Sequence, residues 1–251
     1  MNMANFWKVV NKVIDDSDIL LLILDAKLSN ETRNEEIENK VINKNKPFIY
    51  VINKCDLISQ EESEKIKKRF RPSVFVSSTE YHGLKMLRET IIIMGKREYP
   101  DKDRYVAGIL GYPNVGKSSL INAMTGRAAA GVSNASGFTK GVQKIKVDNK
   151  LLFLDTPGVI PYKENDAEKH AIISTVDYNK AKDLDLIVMQ LMEKFKGKIE
   201  EHFNVEVNLD FEEKIEEIAK SKNLLRKGGV PDIERTCRLI LKEWQEGKIR
   251  I

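Results

Sequence analysis

The segment 111–119, with the sequence GYPNVGKSS, has the residue types and spacing of a phosphate-binding loop. Gly111 and Gly116 let the backbone curl so that successive N–H groups converge on an anion. Lys117 can reach the β- and γ-phosphates of a nucleotide, and the Ser118 hydroxyl can bind Mg2+. The residues of this loop predicted to contact nucleotide are Asn114, Val115, Gly116, Lys117, Ser118 and Ser119.

The sequence on either side gives this loop its structural context. The apolar run 105–110 predicts a strand before it, and residues 119–124 predict a helix after it, whose dipole adds positive charge at the anion. A glycine turn that precedes a helix by chance is the alternative. Lysine followed by serine at the expected positions argues against that alternative.

A second motif, Asp155-Thr-Pro-Gly158, follows an apolar run at 151–155. Asp155 can hold Mg2+ through water, and the Gly158 N–H can approach a γ-phosphate. Alone, such a sequence is usually a turn. Beside a phosphate loop it is informative, because both segments belong at the carboxyl edge of one parallel sheet. Thr139 is the candidate for a switch threonine that completes Mg2+ coordination, the alternative being a solvated loop residue.

A third motif, Asn53-Lys54-Cys55-Asp56, selects the base. The Asp56 carboxylate can accept the N1–H and N2–H of guanine, a donor pair that adenine lacks. Asn53 can tie this loop to the phosphate loop, and the Lys54 stem can lie over the purine. A plain turn at the end of a strand is the alternative.

Two serines after the next predicted strand, Ser77 and Ser78, give a weaker signal. Their backbone N–H groups could support the guanine O6 atom, although a serine pair in this position is ordinarily a turn or a cap.

Continuous apolar runs are typical of parallel strands covered on both faces. Such runs occupy 19–25, 48–53, 73–77, 105–110 and 151–155, with helical patterns between most of them and an alternating edge strand at 142–147. We therefore expect a mostly parallel α/β sheet flanked by helices in residues 1–165. A charged linker is expected at 95–103, and an all-helical second domain at 166–251.

The composition indicates a cytoplasmic protein without a membrane anchor. The 251 residues carry a net charge of +4, which is too small to indicate nucleic acid by itself. We find neither an apolar run that could span a bilayer nor a signal segment. The two cysteines lie far apart and match no zinc spacing.

The order of the motifs is unusual. In an ordinary GTPase the phosphate loop comes first, and the base-selecting motif and the serine loop come last. Here Asn53–Asp56 and Ser77–Ser78 precede the phosphate loop. Cutting a sheet at a surface loop and joining the old termini preserves every strand contact. The predicted fold is therefore a circularly permuted P-loop GTPase.

With this motif order, the chain resembles the circularly permuted GTPases of the YlqF/YawG type, which assist assembly of the large ribosomal subunit. Asp25-Ala-Lys27 and Arg33-Asn34 are similar to that family's D-A-R-x-P and R-N elements. Residues 227–232, with Trp244 and Gly247-Lys248, resemble the end of its helical domain. The resemblance implies GTP and GDP as ligands and a precursor of the large subunit with its rRNA as partner, with neither membrane nor DNA. The family's W-F-P-G-H-M segment is reduced here to an aromatic trace at 5–7.

Hydrolysis is expected to be slow. Val159 occupies the position where Ras-like enzymes place a glutamine that orients water. The resemblance implies that Asn114 helps to bind a K+ ion in place of an arginine finger; alternatively, ribosomal RNA or protein completes the site. The catalytic candidates are Asn114, Lys117, Thr139 and Gly158. A nucleotide-switched scaffold with negligible turnover and a GTPase in another translation-related task remain as alternatives.

The last predicted helix carries a basic stripe. At helical spacing, Arg235, Arg238 and Lys242 lie opposite an apolar side that is expected to include Ile233 and Trp244. Residues 218–251 hold nine basic and four acidic side chains. The stripe is a candidate RNA-binding surface, and an ordinary solvated face is the alternative.

Overall fold

The computed structural model describes residues 3–126, 142–156 and 183–251. The chain separates into two compact units, Met1–Asn165 and Asp166–Ile251. Thr139, Gly158 and Val159 lie outside the described residues, so their expected roles stay predictions.

The first unit is built on a six-stranded sheet with the order β3-β2-β1-β4-β6-β5. All neighbouring strands are parallel except β5, which pairs antiparallel with β6 at the edge. This arrangement confirms the mostly parallel α/β fold. The strands are β1 (Ile19–Asp25), β2 (Phe48–Asn53), β3 (Ser73–Val76), β4 (Tyr105–Gly111), β5 (Gln143–Lys146) and β6 (Leu151–Asp155).

Helices cover the sheet. In the first unit they are α1 (Met3–Asp16), α2 (Glu35–Asn43), α3 (Gln60–Arg69), α4 (Leu84–Glu98) and α5 (Lys117–Thr125). One apolar core joins α1, α2 and α3 to β1 and β2, with members such as Val13, Ile37, Ile66, Leu22 and Ile52. Every residue of β1 is buried, as expected for a central parallel strand with helices on both faces.

The strand register brings the sequence motifs to one edge of the sheet. Asp25 at the end of β1 is the partner of Asn53 at the end of β2. Ile23, two residues earlier on β1, is the partner of Gly111, where the phosphate loop begins. Since these strands run parallel, the loops that follow them lie at the same carboxyl edge.

The expected linker at 95–103 is partly wrong, because α4 continues to Glu98. Gly95 lies inside this helix, where a Cβ atom would come within 2.7 Å of the Tyr105 ring. The glycine is therefore a site of close helix–strand packing. The remaining connection is held in place, since Lys102 Nζ lies 2.5 Å from Asp18 Oδ1 and Arg104 Nε donates to the Asn149 carbonyl over 3.0 Å.

The described part of the second unit, residues 183–251, is helical apart from one isolated bridge between Leu225 and Pro231. Its helices are α6 (Leu184–Lys194), α7 (Lys198–Phe203), α8 (Phe211–Ser221) and α9 (Ile233–Gln245). Helix α9 packs against α6 and α8 and buries Trp244, whose ring centroid lies 4.7 Å from that of Phe195. Across the described ranges, we find no helix with the length and apolarity that a bilayer crossing requires.

Candidate nucleotide site

The phosphate loop connects β4 to α5, and its glycines are required by its neighbours. A Cβ atom at Gly111 would lie 2.7 Å from the Ile23 carbonyl oxygen on β1. Gly116 has φ +93°, a left-handed conformation that disfavours other residues. The loop therefore lies directly against the carboxyl end of β1.

Lys117 places a buried cation on this loop. Its side chain is 7% exposed, and Nζ donates to the carbonyl oxygens of Gly111 over 2.9 Å and Tyr112 over 2.6 Å. Burial lowers the pKa of Lys117 to about 8, and the negative charge of Asp155 partly opposes this effect. A bound phosphate would further favour the charged form.

Asn53 joins three loops through one side chain. Its Nδ2 donates to the Val115 carbonyl oxygen over 2.9 Å, and its Oδ1 accepts from Ser78 Oγ over 2.9 Å. The fit is tight, because a Cβ atom at Gly116 would lie 2.2 Å from Asn53 Nδ2. The base-selecting loop, the serine loop and the phosphate loop are thus brought together, although they are far apart in sequence.

Asp56 lies in the short 3-10 turn Cys55–Leu57 that follows β2. Its Oδ1 atom is buried and has no hydrogen-bond partner within the described segments. A buried acceptor without a donor is unfavourable unless a ligand supplies one. The N1–H and N2–H groups of guanine are donors that could do so. Burial raises the pKa of the neighbouring Cys55 thiol, and the charge of Asp56 raises it further.

The serine loop is closed by its own backbone. The Ser77 N–H donates to the His82 carbonyl over 3.1 Å, and the Ser77 carbonyl accepts from the His82 N–H over 3.1 Å. The Ser77 hydroxyl accepts a hydrogen bond from the Glu80 N–H. The Ser77 N–H is therefore engaged within its own loop, and the expected contact of the Ser77 and Ser78 N–H groups with guanine O6 stays a prediction.

Asp155 and Ser118 supply oxygen atoms of the kind that Mg2+ binds. Asp155 is buried at the end of β6, near enough to Lys117 for its charge to raise the lysine pKa. The next residue, Thr156, donates its hydroxyl to the Ile109 carbonyl on β4 over 2.8 Å. No cluster of three acidic, histidine or cysteine side chains suited to a metal occurs in the described residues. The oxygen donors present fit the predicted Mg2+ site, whose third candidate is Thr139.

Sequence reasoning missed a charged pair beside the base-selecting loop. Lys54 has a left-handed backbone with φ +63°, and its Nζ lies 2.6 Å from Asp25 Oδ2. Lys27, 7% exposed, lies near this pair. Its burial lowers the pKa to about 7, an effect that Asp25 opposes and Lys54 reinforces. The sequence signal that could have indicated this pair is that the neighbouring strands β1 and β2 both end in a polar residue.

The basic stripe of α9 is only partly as expected. Arg238 pairs with Glu234 at 2.8 Å, and Lys242 lies 4.0 Å from Glu246. Ile233 was wrongly expected to pack, because it is 36% exposed in the first turn. The buried side of α9 consists of Thr236, Cys237, Ile240, Leu241 and Trp244.

Comparison with known proteins agrees with this geometry. Residues 106–225 match the protein family described as 50S ribosome-binding GTPase. The chain is 39% identical over 247 residues to an uncharacterized GTP-binding protein of Methanocaldococcus jannaschii, covering 96% of this chain and 65% of that protein. It is 28% identical to GTPase grn1 of Schizosaccharomyces pombe, covering 96% and 60%, and 29% identical to Nuclear/nucleolar GTPase 2 of Oryza sativa, covering 97% and 47%. The chain thus spans about half to two thirds of these relatives.

Among solved structures, YlqF from T. maritima in its GNP-bound form has a TM-score of 0.68 and 22% identity, with 97% of this chain and 94% of that chain covered. Its GDP-bound form has a TM-score of 0.69, with 95% and 94% covered at the same identity. This likeness concerns the fold, including the strand arrangement on which the site depends. The chain is thus similar to 50S ribosome-binding GTPases over residues 106–225, and it has the circularly permuted fold seen in YlqF.

Proposed function

We propose that the protein binds GTP and hydrolyses it to GDP and phosphate during assembly of the large ribosomal subunit. The observation that carries the nucleotide part is the contact of Asn53 with the phosphate loop. It brings Asp56, an acceptor suited to guanine, to the same sheet edge as Lys117. A phosphate loop without this arrangement would serve ATP equally well.

Each group has a defined task in the proposed mechanism. The loop N–H groups and the Lys117 ammonium bind the phosphates and stabilise the charge that develops as the γ-phosphate leaves. The Asp56 carboxylate accepts the two guanine donors, and the Asn53 side chain keeps the base and phosphate loops in register. Ser118, Asp155 and Thr139 would hold a Mg2+ ion, which would neutralise negative charge on the phosphates.

The slow step of this mechanism is the activation of water. Val159 has no polar group with which to orient it, and Gly158 offers only a backbone N–H. We propose that Asn114 would help to hold a K+ ion, which would supply the missing positive charge. Hydrolysis measured in K+ and Na+ buffers tests this idea, since equal rates in both, alone and on ribosomal particles, would contradict it.

The ribosomal role is supported by the family description and by the exposed Arg235 on α9. The matching relatives of eukaryotes include a nuclear/nucleolar GTPase. We place the present protein in the cytoplasm, as its sequence suggested, with a precursor of the large subunit and its rRNA as partners. Co-sedimentation with such precursors in the presence of GTP, compared with small subunits, tests the assignment. Absence from the precursor fraction would contradict it.

A nucleotide-switched scaffold is the second candidate, and Val159 is the residue that favours it. A multiple-turnover phosphate-release assay with added ribosomal particles separates the two functions. Release of many phosphates per protein supports an enzyme. A single turnover followed by stable binding of the particle supports the scaffold. If the protein acts in another translation-related task, GTP hydrolysis should be stimulated by a particle other than the large-subunit precursor.

A further inference from the structure

The best-defined polar cluster that the proposed mechanism leaves unused lies at the end of β1. The Asp25 carboxylate is almost fully buried, with 9% of the side chain exposed, and both of its oxygens are engaged. Oδ1 accepts from the Lys27 N–H over 3.0 Å, and Oδ2 lies 2.6 Å from the Lys54 ammonium. A buried carboxylate in such a setting is held in one orientation.

The backbone under this carboxylate is also fixed. The Asp25 N–H donates to the Thr32 hydroxyl over 3.1 Å, and that hydroxyl donates to the Leu28 carbonyl over 2.7 Å. Neither contact involves a nucleotide. The position of the carboxylate is therefore determined by residues 25–32 before any ligand binds.

Lys54, by contrast, has a long side chain that would be mobile on its own, and 24% of it is exposed. It is the second residue of the base-selecting motif, its backbone is left-handed, and its Nζ reaches Asp25 at the end of β1. An ion pair at the tip of a lysine restricts the rotamers of its whole stem. The stem is the part expected to lie across the purine ring.

We propose that Asp25 is a positioning residue for purine binding, which holds the Lys54 side chain in place so that its stem forms one wall of the base pocket. The inference rests on the proposed function, because it assumes that a guanine nucleotide occupies this site. Asp25 acts only through Lys54 and does not touch the ligand. Pre-ordering a flexible side chain improves affinity by lowering the entropic cost of binding.

The test is the affinity for GDP of three variants, measured by titration calorimetry. Asp25→Asn keeps the acceptor for the Lys27 N–H and removes the charge that holds Lys54. We expect the GDP dissociation constant to rise by about tenfold. Lys54→Met removes the ammonium and keeps an apolar stem. In this background, Asp25→Asn should cause no further loss, because the pair is already broken.

Asp18→Asn is the matched control. Asp18 is also a buried aspartate on the β1 segment, with a lysine partner in Lys102 and a backbone donor in the Val106 N–H. It lies at the opposite end of the strand, about 20 Å away by strand geometry. We expect this variant to bind GDP as the wild type does.

The outcomes separate the inference from the proposed function. Wild-type affinity in Asp25→Asn, or losses from Asp25→Asn and Lys54→Met that simply add, would overturn the inference alone. A wild-type protein that binds no GDP would overturn the inference and the proposed function together. If Asp25→Asn alone fails to fold, Lys54→Met is compared with the wild type and with the double variant. The inference requires Lys54→Met to lose affinity and the double variant to lose no more. Wild-type affinity in Lys54→Met, or a further loss in the double variant, refutes it.

Discussion

Asn53 Nδ2 donates a hydrogen bond of 2.9 Å to the Val115 carbonyl oxygen, across 62 positions of the chain. This bond joins the end of β2 to the phosphate loop after β4, although β1 lies between the two strands in the sheet. The contact is possible because parallel strands end at one edge and because Gly116 leaves room for the amide. One side chain therefore links the segment predicted to bind the base to the segment predicted to bind phosphate.

The first prediction concerns Gly116→Ala. The new Cβ atom would meet Asn53 Nδ2 at 2.2 Å in a backbone with φ +93°, so the amide must leave the loop. We expect a loss of GDP affinity of about a hundredfold and a fall in the free energy of unfolding of about 1–3 kcal/mol. Calorimetric titration and chemical denaturation measure the two effects.

Gly126→Ala is its control. Gly126 also has a positive φ, +65°, but a Cβ atom there would have no neighbour within 4 Å among the described residues. This variant should lose stability through backbone strain and keep its affinity for GDP. Equal losses of affinity in the two variants would show that strain, and not the contact with Asn53, explains the first result.

Asp56→Asn should change the base that is bound. An amide at this position presents a donor where guanine N2–H also donates, whereas xanthine carries a carbonyl oxygen at that carbon. We expect GDP affinity to fall by at least about a hundredfold and xanthosine diphosphate to become the preferred ligand. Competition between the two nucleotides for the variant measures the change. An equal loss of affinity for GDP and for xanthosine diphosphate would argue against base recognition by Asp56.

The pH dependence of GDP binding should report on Lys117. In the free protein its pKa is lowered to about 8, and bound phosphate would raise it by favouring the ammonium form. Binding should therefore take up a proton at pH values above about 8, and affinity should decrease as the pH rises through this range. Titrations in buffers of different ionisation enthalpy count the protons taken up. Constant affinity from pH 7 to 9 would contradict the expectation.

Neutralising the stripe of α9 should weaken the binding of ribosomal particles in a salt-dependent way. The slope of log affinity against log salt should become shallower in the triple glutamine variant of Arg235, Arg238 and Lys242. The slope should change by less than the loss of three full charges implies, because Glu234 and Glu246 already neutralise part of the stripe.

Lys220→Gln on α8 is the matched control for this experiment. It removes an exposed lysine that is paired with a glutamate at the same i,i+4 spacing, but lies on another helix. It should leave the slope unchanged. An unchanged slope in the triple variant would show that the stripe does not contribute to binding of ribosomal particles.

The sheet and its motifs were predictable because local sequence determines them. The strands β1, β2 and β6 are apolar runs that each end in one polar residue, and the phosphate loop is recognisable by two glycines and a lysine at fixed spacing. These signals depend on backbone freedom and burial, which are properties of residue types.

The remaining features depend on contacts that local sequence does not contain. The ion pair between Asp25 and Lys54 follows from the register of β1 and β2. Helix α4 continues through Gly95 because that residue packs against Tyr105, which overrides its low helix propensity. The bridge between the Ser77 N–H and the His82 carbonyl could not be foreseen from the serine pair alone. Each case is a tertiary contact that outweighs a local preference.

The strand order has a consequence for synthesis on the ribosome. The chain emerges from its N-terminus, so β1, β2 and β3 are complete before β4 leaves the exit tunnel. Until then, one edge of the largely apolar β1 has no neighbouring strand, which favours aggregation. Guanine nucleotide cannot stabilise this incomplete sheet, because the phosphate loop that would bind it has not yet been synthesised. We therefore expect the nascent chain to need help from a chaperone up to about residue 126, and guanine nucleotide to stabilise it only afterwards.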